Sequence, residues 1–417
     1  MTKKLMFFLL TVIVTFGHIT YAYATIEHPD ITATSYIVMD AKTGAVLDGK
    51  NIHEQVYPAS TTKIMTIMLA LKYGDLDATI TMTEDDIYSL EEGASTIYLV
   101  PGEEISLRDG LYAAAIPSAN DACNGIAHTV CDTTDQFIEL MNNEVVQLGA
   151  TQTHFSNPHG LHEEDHYTTA YDLALIMKAG IQVEGFKEIL STTSYNIPQT
   201  NLSIARNLIA FNNLLRPESM FYLDGIQASK PGFTYEAQHT LITYATREDK
   251  ELIVAIFGVE DTDAQYQESH ILFDYGFENY DYISTEGLTI PDPTLTLPET
   301  YHFYSDNYLD YTLPTEILAN VDTTLYPIEV VVDLGQFSVN SYDGQTIGSI
   351  NYIQNEEVLY STDIVLTSGI FRFQFIDLIM WILLILLALV LLLILGAFGL
   401  RQYVRVKRRK QRRLRRY

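Results

Sequence analysis

The sequence predicts a mixed α/β domain, in the α+β sense, whose sheet draws strands from both ends of one 260-residue block. Three observations predict it. Ser35-Tyr36-Ile37-Val38-Met39-Asp40 has the β-branched and aromatic content of a strand. Between residues 61 and 179 the apolar residues follow helical spacing. From Leu223 onward strand patterns return, in Thr240–Thr246 and Leu252–Gly258. Strand, helices and strands in one block fit a sheet packed against helices.

In chain order, Lys3 and Lys4 precede the apolar stretch Leu5–Phe16, and Ala22-Tyr23-Ala24 supplies a small-x-small cleavage pattern. Residues 1–24 are therefore expected to be a secretion signal. The strand at 35–40 turns at Lys42-Thr43-Gly44 and returns through Ala45-Val46-Leu47. Helical patterns occupy 61–73, the region around 106–115, and 121–130. Thr169, with Asp172 three residues on, caps a helix over Tyr171–Ala179. The catalytic block is expected to span 25–285. Pro291, Pro293 and Pro298 mark a linker, and 286–368 reads as a β-rich stalk domain with strands such as Ile328–Val332.

Residues 369–400 are the expected membrane anchor. Leu378–Leu400 is uncharged over 23 residues, about 35 Å as a helix and enough to cross a bilayer. Residues 401–417 then carry ten Arg or Lys and no acid. By the positive-inside rule this tail is cytoplasmic, which puts the preceding domains on the extracytoplasmic face. With two lysines in the N-terminal segment and ten bases in the tail, thirteen bases face all 53 acids between residues 25 and 377. That part carries about 40 surplus negative charges and should repel nucleic acid.

The chemistry centres on Pro58-Ala59-Ser60-Thr61-Thr62-Lys63, which runs into the apolar Ile64–Leu71. Pro58 biases Tyr57 away from helix and puts Ser60 at the expected helix start. Residues three apart share a helix face, so Lys63 meets Ser60. A lysine embedded in an apolar run can serve as the base that activates a serine. Ser60–Lys63 is the only S-x-x-K in the chain. Ser118-Ala119-Asn120 lies in a loop between two helices, where a hydroxyl and an amide stand side by side to relay a proton and hold a substrate amide. Four other Ser-x-Asn triplets, at Ser194, Ser305, Ser338 and Ser349, read as turn chemistry. Lys230-Pro231-Gly232-Phe233-Thr234 leads into a strand, where a cation can bind a carboxylate and a glycine permits close backbone approach. Lys42-Thr43-Gly44 and Lys178-Ala179-Gly180 look alike but occupy a hairpin turn and a helix end.

His162-Glu163-Glu164-Asp165-His166 matches H-E-x-x-H, whose zinc chemistry needs a helix. Pro158 and Gly160 precede it closely and its residues are polar throughout, so a loop is expected and no metal is assigned. Cys123 and Cys131 on one helix would lie about 12 Å apart, too far for a disulfide.

Taken in order, Ser60/Lys63, Ser118/Asn120 and Lys230/Gly232 resemble the three-motif signature of penicillin-binding serine D,D-peptidases, a fold shared with β-lactamases. Asp40–Leu47, Asn157-Pro158-His159-Gly160-Leu161 and His166–Leu173 are similar to the low-molecular-mass D-alanyl-D-alanine carboxypeptidases. The resemblance implies no cofactor, the peptidoglycan stem peptide as substrate, and β-lactams as inhibitors. It implies Ser60 as nucleophile, Lys63 as base, Ser118 as proton relay and Asn120 as amide holder. Lys230, Gly232, Phe233 and Thr234 fall to the substrate-binding strand, with Lys230 depressing the pKa of Lys63. The backbone N–H groups of Ser60 and Phe233 would form the oxyanion hole.

Two departures concern carboxylate recognition. Pro231 stands where the family carries a threonine hydroxyl, and Lys230 follows Asp224-Gly225 at a longer spacing. The rival readings are a D,D-endopeptidase on the same fold, a zinc metallopeptidase using His162 and His166, and a non-enzymatic wall-binding protein. A β-lactamase is disfavoured because no deacylating glutamate motif is visible.

Overall fold

The computed structural model describes residues 28–293, 295, 301–303, 308–324, 326–335, 344–368, 370–372 and 375–414. The expected secretion signal lies outside the described residues. So do Ser305 and Ser338, Pro298 of the linker and the last three residues of the tail.

A five-stranded antiparallel sheet organises the first unit, which comprises residues 1–289, 314–330 and 351–361. Its strands are β1 (Ser35–Asp40), β2 (Val46–Lys50), β3 (Ile226–Thr234), β4 (Gln238–Arg247) and β5 (Lys250–Val259), in spatial order β2-β1-β5-β4-β3. The N-terminal hairpin thus sits beside the last strand of the block, as the pattern predicted. All six residues of β1 are buried, because the sheet is covered on both faces. Ile37 and Met39 point into one core, and Tyr36 and Val38 into the other.

The first core holds α1 (Lys63–Tyr73), α2 (Leu107–Ala115), α3 (Asn120–Cys131) and α4 (Ala170–Gly180). Residues Lys63–Ala70 of α1 are all buried, as an apolar run without a polar face requires. Thr169 caps α4 by accepting from the Asp172 N–H at 3.1 Å. The second core packs Leu272, Phe273 and Phe277 of α5 (Thr262–Asn279) on the other face. Strand β6 (Tyr280–Ser284) then pairs with β7 (Glu316–Asn320), which brings Ile317 and Leu318 to full burial.

One local expectation changes. Ser60 does not begin α1: Ala59–Thr62 forms a tight 3-10 turn, and α1 starts at Lys63. Ala59 is held at φ +49°, a left-handed conformation costly for alanine. The turn aims Ser60 out of the helix barrel, where an N-cap serine would be tied to backbone N–H groups.

The second unit comprises residues 290–313, 331–350 and 362–417. Among the described residues between 301 and 372 there are strands and no helix. In this unit Tyr301–Phe303 pairs antiparallel with Ile370–Arg372, and Leu309–Asp310 with Val365 and Leu366. A 40-residue helix, α6 (Phe375–Leu414), ends the chain, and its Ile379–Arg409 stretch is long and apolar enough to cross a membrane.

Candidate active site

The sheet edge, the 3-10 turn and the loop between α2 and α3 meet at one cleft. Strand β3 is an edge strand, so Pro231, which has no N–H, leaves no ladder bond unmade on its open side. A register shift falls between Ile226 and Ala228, within the longer stretch after Gly225. Lys230 lines the cleft although the motif spacing departs from the family's.

At the centre the Lys63 Nζ donates to Ser60 Oγ at 3.0 Å, Asn120 Oδ1 at 2.7 Å and the His159 carbonyl at 2.6 Å. The last two are fixed acceptors that occupy two N–H bonds. A neutral amine held that way has its lone pair facing the Ser60 hydroxyl, which is the geometry for proton abstraction. Burial pushes the Lys63 pKa down to about 8, against the opposing pull of Cys123 and Asp121. On the other side, the Lys230 Nζ donates to Ser118 Oγ at 3.0 Å and to the Pro231 carbonyl at 2.9 Å. Ser118 adopts φ +64°, a strained turn that presents its hydroxyl to that amine.

Burial lowers both amines: Lys63 first by its own desolvation, and Lys230 well below its ordinary value by burial and then by the charge on Lys63.

Gly232 faces the nucleophile: a Cβ there would lie 2.7 Å from the Ser60 nitrogen and 3.1 Å from Ala59 Cβ. Only glycine lets the edge strand approach the backbone that closely. Ser60, Ser118, Lys230, Gly232 and Phe233 line one cavity of about 350 Å³. Lys63 and Asn120 sit behind Ser60, fully and almost fully buried. Thr234 is not among the lining residues, and its hydroxyl accepts from the Ala237 N–H at 3.0 Å in the turn to β4.

The loop 157–166 supplies what the sequence did not disclose. Besides the His159 carbonyl, the Pro158 carbonyl accepts from Thr66 Oγ1 at 2.5 Å. Gly160, at φ +89°, packs its Cα where a Cβ would lie 1.9 Å from the Ala59 carbonyl oxygen. His166 Nδ1 accepts from the Ser156 N–H at 3.1 Å, which leaves the proton on Nε2 to donate to Thr62 Oγ1 at 2.8 Å. Asn-Pro-His-Gly-Leu marks this loop in the sequence, but carbonyls carry no side-chain signature.

The H-E-x-x-H reading fails on geometry. Residues 162–166 are not helical. Both ring nitrogens of His166 are engaged within the chain, and His162 packs edge-on against Tyr57. No group of three metal-ligating side chains occurs among the described residues. Cys123 and Cys131 are both free, at the spacing one helix imposes.

Residues 22–261 match the family described as D-alanyl-D-alanine carboxypeptidase. The chain belongs to that family. It is 32% identical over 253 residues to D-alanyl-D-alanine carboxypeptidase DacF of Bacillus subtilis, an alignment covering 60% of this chain and 63% of the relative. It is 31% identical over 278 residues to DacC of Escherichia coli, covering 63% and 66%. The chain thus spans a little under two thirds of the length of these curated relatives. The D-alanyl-D-alanine carboxypeptidase of Mycobacterium tuberculosis superposes with a TM-score of 0.56 at 27% identity, over 63% of this chain and 96% of that one. Penicillin-binding protein 5 of Haemophilus influenzae shares the fold, with a TM-score of 0.65 at 24% identity, over 83% of this chain and 99% of that one. Family and fold therefore agree with the three-motif order, and the zinc-peptidase reading has no support in either.

Proposed function

We propose that this carboxypeptidase-family protein removes the terminal D-alanine from peptidoglycan stem pentapeptides through an acyl-enzyme on Ser60. The observation that carries the reading is the desolvated Lys63 amine, held by Asn120 and the His159 carbonyl with its third position on Ser60 Oγ. Lys63 takes the hydroxyl proton as Ser60 attacks the penultimate D-alanine carbonyl. The backbone N–H groups of Ser60 and Phe233 receive the oxyanion. Ser118, in contact with Lys230, hands its proton to the departing amine and is refilled by the proton that Lys63 took from Ser60, which leaves Lys63 neutral. Water then attacks the ester, with Lys63 again as base and its proton returned to Ser60 as the ester C–O bond breaks. No step needs a cofactor or metal. A β-lactam would acylate Ser60 by the same route and act as an inhibitor.

The rest of the chain supports a membrane-bound enzyme. We read α6 as a single span, its basic end in the cytoplasm and the acidic domains outside. A secretion signal at 1–24 completes that topology.

The test is a mass measurement after incubation with benzylpenicillin, followed by peptide mapping. One adduct on Ser60, and loss of D-alanine release in Ser60→Ala, are expected. An adduct elsewhere, or turnover by Ser60→Ala, would remove the assignment. A wall-binding protein would bind peptidoglycan equally with Ser60→Ala and release nothing.

A further inference from the structure

Residues 401–417 take no part in the chemistry above, and their charge is out of proportion to the rest of the chain. They hold eight arginines, two lysines and no acid. Residues 25–377, twenty times as long, hold five arginines and eight lysines. The tail therefore favours the guanidinium, whose planar fork pairs bidentately with phosphate oxygens and keeps its charge at any physiological pH. Orienting a span asks only for positive charge beside it, which lysine and arginine supply alike.

Helix α6 continues without a break past the apolar run to Leu414. On it Arg405 stands four residues from Arg401 and three and four from Arg408 and Arg409. Like charges at those spacings repel and destabilise the helix. No acid in the segment offsets them, so a helix here needs counter-charge from outside the segment. Every side chain from Ile379 to Arg409 is exposed, so the described protein leaves this stretch uncovered.

Position selects the anion. At 1.5 Å per residue, Arg401, Arg405, Lys407, Arg408 and Arg409 lie within about 14 Å of the end of the apolar run at Leu400. A headgroup layer takes up roughly 5–8 Å of that distance, and its potential reaches about 8 Å further at physiological salt. All five bases therefore lie in the field of the leaflet. So short a tether also holds the leaflet at a local concentration that no dissolved polyanion matches.

We propose that residues 401–417 bind the phosphates of anionic phospholipids in the leaflet at the basic end of α6, and gather such lipids around the span. The inference rests on reading α6 as a membrane span. Lipid phosphates accept guanidinium pairs from Arg405, Arg408 and Arg409 and so offset the repulsion along the helix. Exposed Tyr403, in the first turn past the apolar run, falls at the depth where tyrosine rings anchor spans.

The experiment places the full chain in phosphatidylcholine vesicles holding a trace of spin-labelled phosphatidylglycerol or spin-labelled phosphatidylcholine. Electron spin resonance compares the association of the two probes with the protein. The wild type is expected to prefer the phosphatidylglycerol probe at least about threefold at 0.1 M salt, and less at 1 M, where fields are screened within about 3 Å. Replacing each of the eight bases from Lys407 to Arg416 by Gln (Lys407→Gln through Arg416→Gln) leaves Arg401 and Arg405 to orient the span. That variant should lose the preference and still bind penicillin as the wild type does. Equal association of the two probes with the wild type, or a preference that survives in the variant, would overturn the proposal. Binding of single-stranded RNA against which phosphatidylglycerol vesicles do not compete would also overturn it, and make the tail a nucleic-acid arm. A chain that alkaline carbonate strips from the vesicles does not span them, and the membrane reading falls with the inference. A chain that resists stripping yet shows no preference overturns the inference alone.

Discussion

At the scale of single residues, the decisive quantity is the protonation of Lys63. Its amine is a base only when neutral, and burial sets its pKa at about 8. Acylation by penicillin should rise about tenfold per pH unit below that value and level off above it. A stopped-flow profile between pH 6 and 10 checks this, and a flat profile would show that another group takes the proton. Lys63→Arg keeps charge and length but stays protonated, so acylation is expected to fall by about 10²–10⁴-fold. The depressed pKa also costs stability. Between about 8 and the ordinary 10.5 the unfolded chain binds a proton that the folded chain does not. The lysine therefore destabilises the fold at neutral pH by on the order of 3 kcal/mol, and that penalty fades as pH rises through this window. Penalties of this kind cluster at functional sites.

At the scale of elements, the loop 157–166 acts as a clamp on the turn that carries Ser60. A methyl group at Gly160 would collide with the Ala59 carbonyl. Gly160→Ala is expected to displace Ser60 and lower acylation on the order of 10²-fold, with a lower Tm, measured by penicillin labelling and calorimetry. His166 makes the clamp acid-sensitive. Burial, then the charges of neighbouring His154, Lys63 and His162, push its pKa from 6.5 to about 3. Over that interval the unfolded chain takes up a proton that the folded chain refuses. Its stabilising contribution is complete above pH 6.5 and is lost as pH falls, by about 2 kcal/mol at pH 5. The drop in Tm from pH 7.5 to 5 should be smaller in His166→Gln than in the wild type.

These elements also divide what the sequence could and could not disclose. Ser60 and Lys63 were legible because three residues of helical or 3-10 turn bring side chains together whatever the exact start of α1. β1 was legible as a strand from its β-branched and aromatic residues, but its burial on both faces was not. Lys230 was legible only through motif order, since composition does not tell an edge strand at the cleft from any other strand. The His159 carbonyl and the His166 tautomer were hidden, because each depends on which backbone or side chain it meets in space.

At the scale of the whole molecule, the question is where the chain can be cut. Tyr280–Ser284 ends the block that the sequence delimits at residue 285, yet its partner strand comes from Glu316–Asn320. Ile317 and Leu318 are fully buried, and Leu318 joins the same core as Phe273, Phe277 and Tyr280. Removing them withdraws about 1.5–3 kcal/mol of apolar burial each and bares the edge of Tyr280–Ser284. Against a typical domain stability of about 5–15 kcal/mol that loss is large. A chain of residues 25–285 is therefore expected to melt well below the longer protein and to aggregate through the bared strand. A chain of residues 25–372 keeps Ile370–Arg372, the partner of Tyr301–Phe303, and lacks the apolar helix and its basic end. It should stay in solution without detergent and bind one equivalent of penicillin at the full-length rate. Calorimetry and penicillin stoichiometry on the two chains decide it: equal melting temperatures would mean that β7 contributes nothing to the fold that holds the active site.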